Sequence, residues 1–98
     1  MVNEIVWSFK ANATFEAIIS YLETEWSERE AIDFVNRVYE KLEVLRVHPK
    51  IGMLIKNNTY RTILHKRITL VYHYKPRKKE ITLITFWNNW QNSQKLKF

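Results

Sequence analysis

Arg61, His65 and His73, with Lys56, Lys66 and Arg67 close to them in sequence, are the side chains whose types and spacing could do chemistry in this chain. A guanidinium can hold a phosphate or carboxylate through two parallel N–H bonds. An imidazole exchanges protons near neutral pH. Charge elsewhere points to the same kind of ligand. Residues 1–47 contain five Lys/Arg against nine Asp/Glu, whereas residues 48–98 contain eleven Lys/Arg against Glu80 alone, the halves of a net +6. A solvated, solubilising surface would spread such charge evenly. Segregation this steep suggests one face that meets phosphate or an acidic protein. Three scattered histidines without cysteine or a close carboxylate make no metal site, and no cofactor is expected.

These side chains must be positioned by strands. Tyr60 to His65, Ile68 to Lys75 and Ile81 to Trp87 are dense in β-branched and aromatic residues, which suit a half-buried pleated surface. The short connectors between them, Lys66-Arg67 and Pro76 to Glu80, imply a three-stranded meander and hold five of the sixteen basic residues. Its register decides which side chains share a face, since a slip of one residue reverses both. Pairing Leu64 with Ile68 puts Tyr60, Thr62, Leu64, Ile68, Leu70, Tyr72 and Tyr74 on one, helix-covered face. Arg61, Ile63, His65, Thr69, Val71 and His73 then share the other, open face. Pairing His65 with Ile68 would instead turn cations toward the core, so the first register is expected. Ile63 and Val71, left exposed beside cations, call for a cover: the C-terminal tail or a bound partner.

The core must come from the first half of the chain. Val2 to Phe9 reads as a strand. Asn12 is a plausible N-cap for a helix whose stripe is Phe15, Ile18, Ile19, Leu22 and Trp26. Ser27-Glu28-Arg29-Glu30 is a capping box that starts a second helix with the stripe Ala31, Phe34, Val35, Val38, Leu42 and Leu45. That helix must stop before Pro49, which disfavours helical backbone at His48. His48 to Asn58, with Pro49, Gly52 and Asn57-Asn58, reads as a loop. The expectation is an α+β fold: an N-terminal strand, an antiparallel helical hairpin and a three-stranded antiparallel meander, with the helices on one face of a four-stranded, mostly antiparallel sheet. Residues 1–98 suffice for one domain. Neither a signal peptide nor a transmembrane-length segment is evident, so a cytoplasmic location without membrane contact is the default expectation.

With the helical hairpin YLETEWSEREAIDFVNRVYEKLEVLRVHPKIG, the strand pair YRTILHKRITLVYHY and the tail ITFWNNWQNSQKL, the chain resembles the RelE/ParE superfamily of toxins from bacterial type II toxin-antitoxin systems, the plasmid stabilisation family. The likeness covers essentially the whole length. It implies a toxin that inhibits growth and is held inactive by a cognate antitoxin carrying an acidic or amphipathic segment. Some members cleave messenger RNA on the ribosome, where a 2′-hydroxyl attacks the adjacent phosphate. Others poison DNA gyrase and need no catalytic residues, and the fold does not choose between them.

For RNA cleavage Arg61 and His65 are the catalytic candidates: the resemblance points to Arg61, and His65 lies near it on the expected open face. Arg61 stands where cleaving members often place a cation on the strand after the loop. Lys56, Lys66, Arg67, His73 and Trp90 are the RNA-binding candidates. Trp90 can stack on a base, although an aromatic group of Phe86, Trp87 and Trp90 beside Ile63 and Val71 more often covers a sheet. The tail departs from the Arg-Gln-Asn-Pro pattern of one branch: Gln91 and Asn92 match, whereas Trp90 and Ser93 replace arginine and proline. Ile63 and Thr69 also stand where cleaving relatives often carry a cation. Three classes stay open: an endoribonuclease, a toxin that binds gyrase, and a degenerate member that only binds its antitoxin.

Overall fold

The computed structural model describes residues 2–65 and 68–89. Strand β1 (Glu4–Trp7) leads into helices α1 (Phe9–Glu25) and α2 (Glu28–Val47), followed by β2 (Met53–Lys56), β3 (Thr59–His65), β4 (Ile68–Lys75) and β5 (Glu80–Asn88). Among the described residues the sheet has five strands in the order β1-β5-β4-β3-β2, with β1 parallel to β5 and every other pair antiparallel. The α+β architecture is the expected one, with five strands in place of four. The additional strand, β2, comes from the segment read as a loop. Asn57-Asn58 is the tight turn of a β2–β3 hairpin, and Asn58 adopts φ 57, a left-handed conformation that asparagine tolerates.

The helices cover one face of the sheet. Ala31, Phe34, Val38, Leu42 and Leu45 of α2 and Ile18 and Leu22 of α1 are buried against Leu64, Ile68, Leu70, Tyr72, Ile81, Leu83 and Phe86. Both apolar stripes therefore do what their 3.6-residue spacing predicts. Trp26, placed on the α1 stripe, is instead half exposed. An aromatic cluster fills the α1 side: Trp7 stacks on Phe86 at 5.6 Å and meets Phe15 edge-on at 5.1 Å. Each such ring, fully buried, contributes about 1.5–3 kcal/mol. Phe86 thus belongs to the helix-covered core, not to an aromatic group on the open face with Trp87.

Helix α1 starts earlier than expected. Its N-cap is Ser8, whose hydroxyl accepts from Ala11 N–H at 3.0 Å, so Asn12 lies inside the first turn. Ser8 also donates to the Ile84 carbonyl at 3.0 Å, and the Thr14 hydroxyl accepts from Phe86 N–H at 3.0 Å. The Ile84 contact falls where β5 shifts register against β4, between the Val71–Thr85 and Tyr72–Leu83 pairs, and both Ile84 and Phe86 lie past Leu83, the last β5 residue paired with β1. Strand polar groups left without a β1 partner there are satisfied by Ser8 and Thr14. Ser27 caps α2 as predicted, accepting from Glu30 N–H at 3.1 Å. The helix ends at Val47, before Pro49. Among the described residues no helix is long and apolar enough to cross a membrane.

The loop between α2 and β2 is fastened to the sheet through Tyr72. Its hydroxyl donates to the Pro49 carbonyl at 2.8 Å and accepts from Gly52 N–H at 3.1 Å. Glycine is required there by proximity: a Cβ would lie 2.7 Å from both the Arg61 carbonyl oxygen and the Tyr72 hydroxyl.

Candidate anion-binding site on the open sheet face

Strand β3 pairs with β4 through Thr59–His73, Tyr60–Tyr72, Arg61–Val71, Thr62–Leu70 and Ile63–Thr69. This is the register expected from Leu64–Ile68 pairing, and it carries Arg61 and His73 on the face away from the helices. At the end of the strand the register shifts, so that His65, not Leu64, lies opposite Ile68. The bulge lets Leu64 and His65 both turn inward. His65 is only 4% exposed. Its Nε2 lies 3.1 Å from the Glu30 carboxylate, and its Nδ1 lies 3.6 Å from Asp33 Oδ2, too far for a hydrogen bond. The expectation that His65 shares the open face is therefore corrected. Burying it brings no unpaired polar group inside, because α2 supplies the acceptor.

Arg61 is exposed, and its guanidinium Nη2 meets Met53 Sδ at 3.3 Å on the paired strand β2. A thioether is a weak acceptor, so this contact orients the group without satisfying it. Among the described residues no carboxylate pairs with Arg61, and the helices' acids lie across the sheet. His73 is half buried two strand positions away. Its Nδ1 lies 3.1 Å from the Thr59 hydroxyl, which itself donates to the Asn57 carbonyl at 3.3 Å. In the tautomer whose Nδ1–H donates to that hydroxyl, Nε2 of a neutral His73 carries the lone pair. Arg61 and His73 are diagonal cross-strand neighbours, a relation that spaces residues by about 7–8 Å and leaves long side chains within reach of one bound group.

Positive charge continues toward the end of the sheet. A shallow cavity of about 280 Å³ is lined by Asn58, His73, Lys75, Arg77 and Lys78. Lys75 pairs across the strands with Glu80 at 3.2 Å. That lysine bond, with the Thr82 hydroxyl, holds the Glu80 carboxyl below the usual range. The turn itself is ordered by Lys78 N–H to Lys75 C=O at 3.1 Å and Lys79 N–H to Pro76 C=O at 3.2 Å. Lys56 is exposed at the end of β2. Lys66, Arg67 and Trp90 lie outside the described residues. Ile63 is 68% exposed beside Arg61. Val71 and Thr69, by contrast, are buried, which corrects the expectation that Val71 stands open.

The family profile described as "ParE toxin of type II toxin-antitoxin system, parDE" matches residues 5–89, nearly the whole described chain. The chain belongs to this family. Membership makes it a ParE/RelE-like toxin of a type II toxin-antitoxin system, as the resemblance implied. No curated protein matches the chain.

Solved structures confirm the fold. The chromosomal ParDE toxin-antitoxin system of P. aeruginosa contains a chain with 18% identity and a TM-score of 0.72, covering 89% of this chain and 96% of that one. A mutant of the E. coli toxin RelE in the free state has 16% identity and a TM-score of 0.64, covering 95% and 90%. The RelBE2 toxin-antitoxin complex of Mycobacterium tuberculosis has 10% identity and a TM-score of 0.61, covering 90% and 99%.

Sequence reasoning overlooked two contributors to this face, Met53 and Thr59. Met53 sits in a segment read as loop, although MLIK followed by two asparagines carries the apolar run and turn of a hairpin arm. Thr59 was already at a strand edge, and only the cross-strand register reveals that it faces His73.

Proposed function

We propose that this toxin arrests growth by ribosome-dependent cleavage of messenger RNA at the open sheet face, and that its antitoxin silences it by covering that face. The observation that carries the reading is Arg61: an exposed guanidinium whose side-chain partner among the described residues is a thioether, diagonal to the His73 imidazole. In this reading His73 Nε2 takes the proton of an RNA 2′-hydroxyl as its oxygen attacks the adjacent phosphorus. Arg61 neutralises the charge that grows on the phosphoryl oxygens, and the 5′ oxygen leaves with a proton from water. Lys56, Lys66 and Arg67 hold the backbone, and Trp90 stacks on a base. His65, assigned to catalysis on sequence grounds, receives no step because its ring is spent on Glu30.

Structural neighbours come from toxin-antitoxin assemblies, which supports a cognate antitoxin as partner. Ile63 and Met53, 68% and 61% exposed around Arg61, suit an acidic amphipathic segment: acid on the guanidinium, apolar side chains on its flanks. The outer edge of β2, unpaired among the described residues, can accept a strand from that segment.

Inhibition of DNA gyrase is the second reading, favoured by the sparse cation set: Ile63 and Thr69 carry no charge where a cleaving enzyme would use it. The test is to induce the chain alone in bacteria and map RNA ends and DNA breaks together. New RNA termini that fall at least about 100-fold in Arg61→Ala support cleavage. DNA breaks with intact transcripts overturn it in favour of gyrase.

A further inference from the structure

The chain has no cysteine and two methionines, Met1 and Met53, so Met53 is the sulfur available for oxidation chemistry among the described residues. It stands at an open approach. Strand β2 is an edge strand, Met53 is 61% exposed, and its neighbour Leu54 is exposed as well. Among the described residues the sulfur is also the side-chain hydrogen-bond partner of the Arg61 guanidinium, at 3.3 Å from Nη2. Exposure sets how readily a methionine oxidises, and the contact sets what oxidation would change.

We propose that Met53 is a redox modification site that controls Arg61, with a peroxide as oxidant and the sulfoxide as the form that weakens anion binding. The sulfur lone pair attacks one peroxide oxygen, forming the S–O bond as the O–O bond breaks. The departing hydroxide takes the proton from the transferred oxygen and leaves as water. Sulfur loses two electrons and the peroxide gains them. The product differs from the thioether in the property that matters here. A thioether accepts N–H bonds weakly, whereas a sulfoxide oxygen carries substantial negative charge and accepts strongly from a guanidinium. That oxygen would occupy the same N–H edge of Arg61 that a phosphate takes, so modification and ligand compete. Sulfoxide reductases reverse the change, which makes it a switch and not damage alone. The inference rests on the reading that Arg61 contacts phosphate, and it adds a means of turning that contact down.

The test uses the full chain, hydrogen peroxide, and a short labelled single-stranded RNA as probe. Each protein is compared with itself before and after treatment. In the wild type, peroxide adds one oxygen to the Met53 peptide by mass spectrometry and weakens RNA binding about three- to tenfold. Methionine sulfoxide reductases restore it. Met53→Leu and Arg61→Ala proteins, which retain Met1, show no such loss on treatment. In the wild type alone, the Arg61 side-chain N–H resonance moves on oxidation. Equal loss of binding in treated Met53→Leu, or complete Met53 oxidation without movement of the Arg61 resonance, overturns the proposal. If untreated Arg61→Ala binds RNA as tightly as the wild type, the phosphate reading fails on its own. The Arg61 resonance then decides whether the sulfoxide grips the guanidinium.

Discussion

His65 and His73 stand on neighbouring strands of one sheet and end in opposite surroundings. His65 is enclosed beneath α2 with Nε2 on the Glu30 carboxylate; His73 lies on the far face with Nδ1 on the Thr59 hydroxyl. Strand alternation alone would put both on the open face. The difference is one bulged residue, Leu64, where β3 shifts register against β4. A single inserted position converts an imidazole that could meet a ligand into one that joins sheet to helix. The two residues then divide the usual work of a folded protein, one stabilising and one available.

Removing each ring should break the comparison most visibly. His65→Ala leaves a void under α2 and strips Glu30 of its imidazole, at a cost of about 2–4 kcal/mol in urea unfolding. His73→Ala removes a half-buried ring held by a single hydroxyl and should cost less than about 1 kcal/mol. Equal losses would mean that the bulge does not separate the two environments.

Gly52→Ala comes next. The added methyl would press on the Arg61 carbonyl and the Tyr72 hydroxyl, both 2.7 Å away, and relief requires β2 to move from β3. Overpacking of this kind costs about 1–3 kcal/mol. Because Met53 follows Gly52, the same movement should disturb the Arg61 side-chain resonance, whereas His65→Ala should leave it in place.

How far these surroundings could be read from sequence depends on the range of the contact that creates them. The Ser27 cap and the α2 stripe are local, involving residues three to four apart, and both were legible. The Tyr60–Tyr72 and Arg61–Val71 register was legible because the alternative would have turned Arg61 toward the core. The Leu64 bulge was not, since what makes it tolerable is the Glu30 carboxylate that meets His65 across 35 residues of sequence. Burying His65 is costly only where no acceptor waits, and Glu30 is such an acceptor. Ser8 was missed for a related reason: it caps α1 while bonding Ile84, 76 residues on, so its role shows only when β5 is in place. Strand β2 was the avoidable omission, because Asn57-Asn58 after MLIK is itself a hairpin signal.

Tyr72 sharpens the comparison from the covered side. Burial pushes its phenol above the ordinary value, and the bond from Gly52 only partly offsets this. A tyrosine with a raised folded-state pKa contributes stability that is intact below its unfolded value of about 10 and is lost as pH climbs through the folded value. Wild-type stability should therefore fall above pH about 10, and the fall should be shallower in Tyr72→Phe. At neutral pH that variant should lose about 1–2 kcal/mol, since the Pro49 carbonyl and Gly52 N–H both lose their partner. A parallel alkaline decline in both proteins would show that some other group dominates.

The smallest expected effect on stability belongs to Arg61. Its side chain is exposed and its side-chain contact is a thioether, so Arg61→Ala should shift unfolding by no more than about 0.5 kcal/mol. A buried or paired arginine would behave otherwise, because truncation would strand a carboxylate or open a cavity. Set beside a loss of RNA binding or toxicity, an unchanged urea midpoint would place Arg61 among the groups the fold can spare. A loss above about 1 kcal/mol would mean that Arg61 holds β2 to β3 and that its exposure serves architecture. The same experiment in Met53→Leu separates these outcomes, since a structural Arg61 would need its sulfur partner and a ligand-facing one would keep its stability without it.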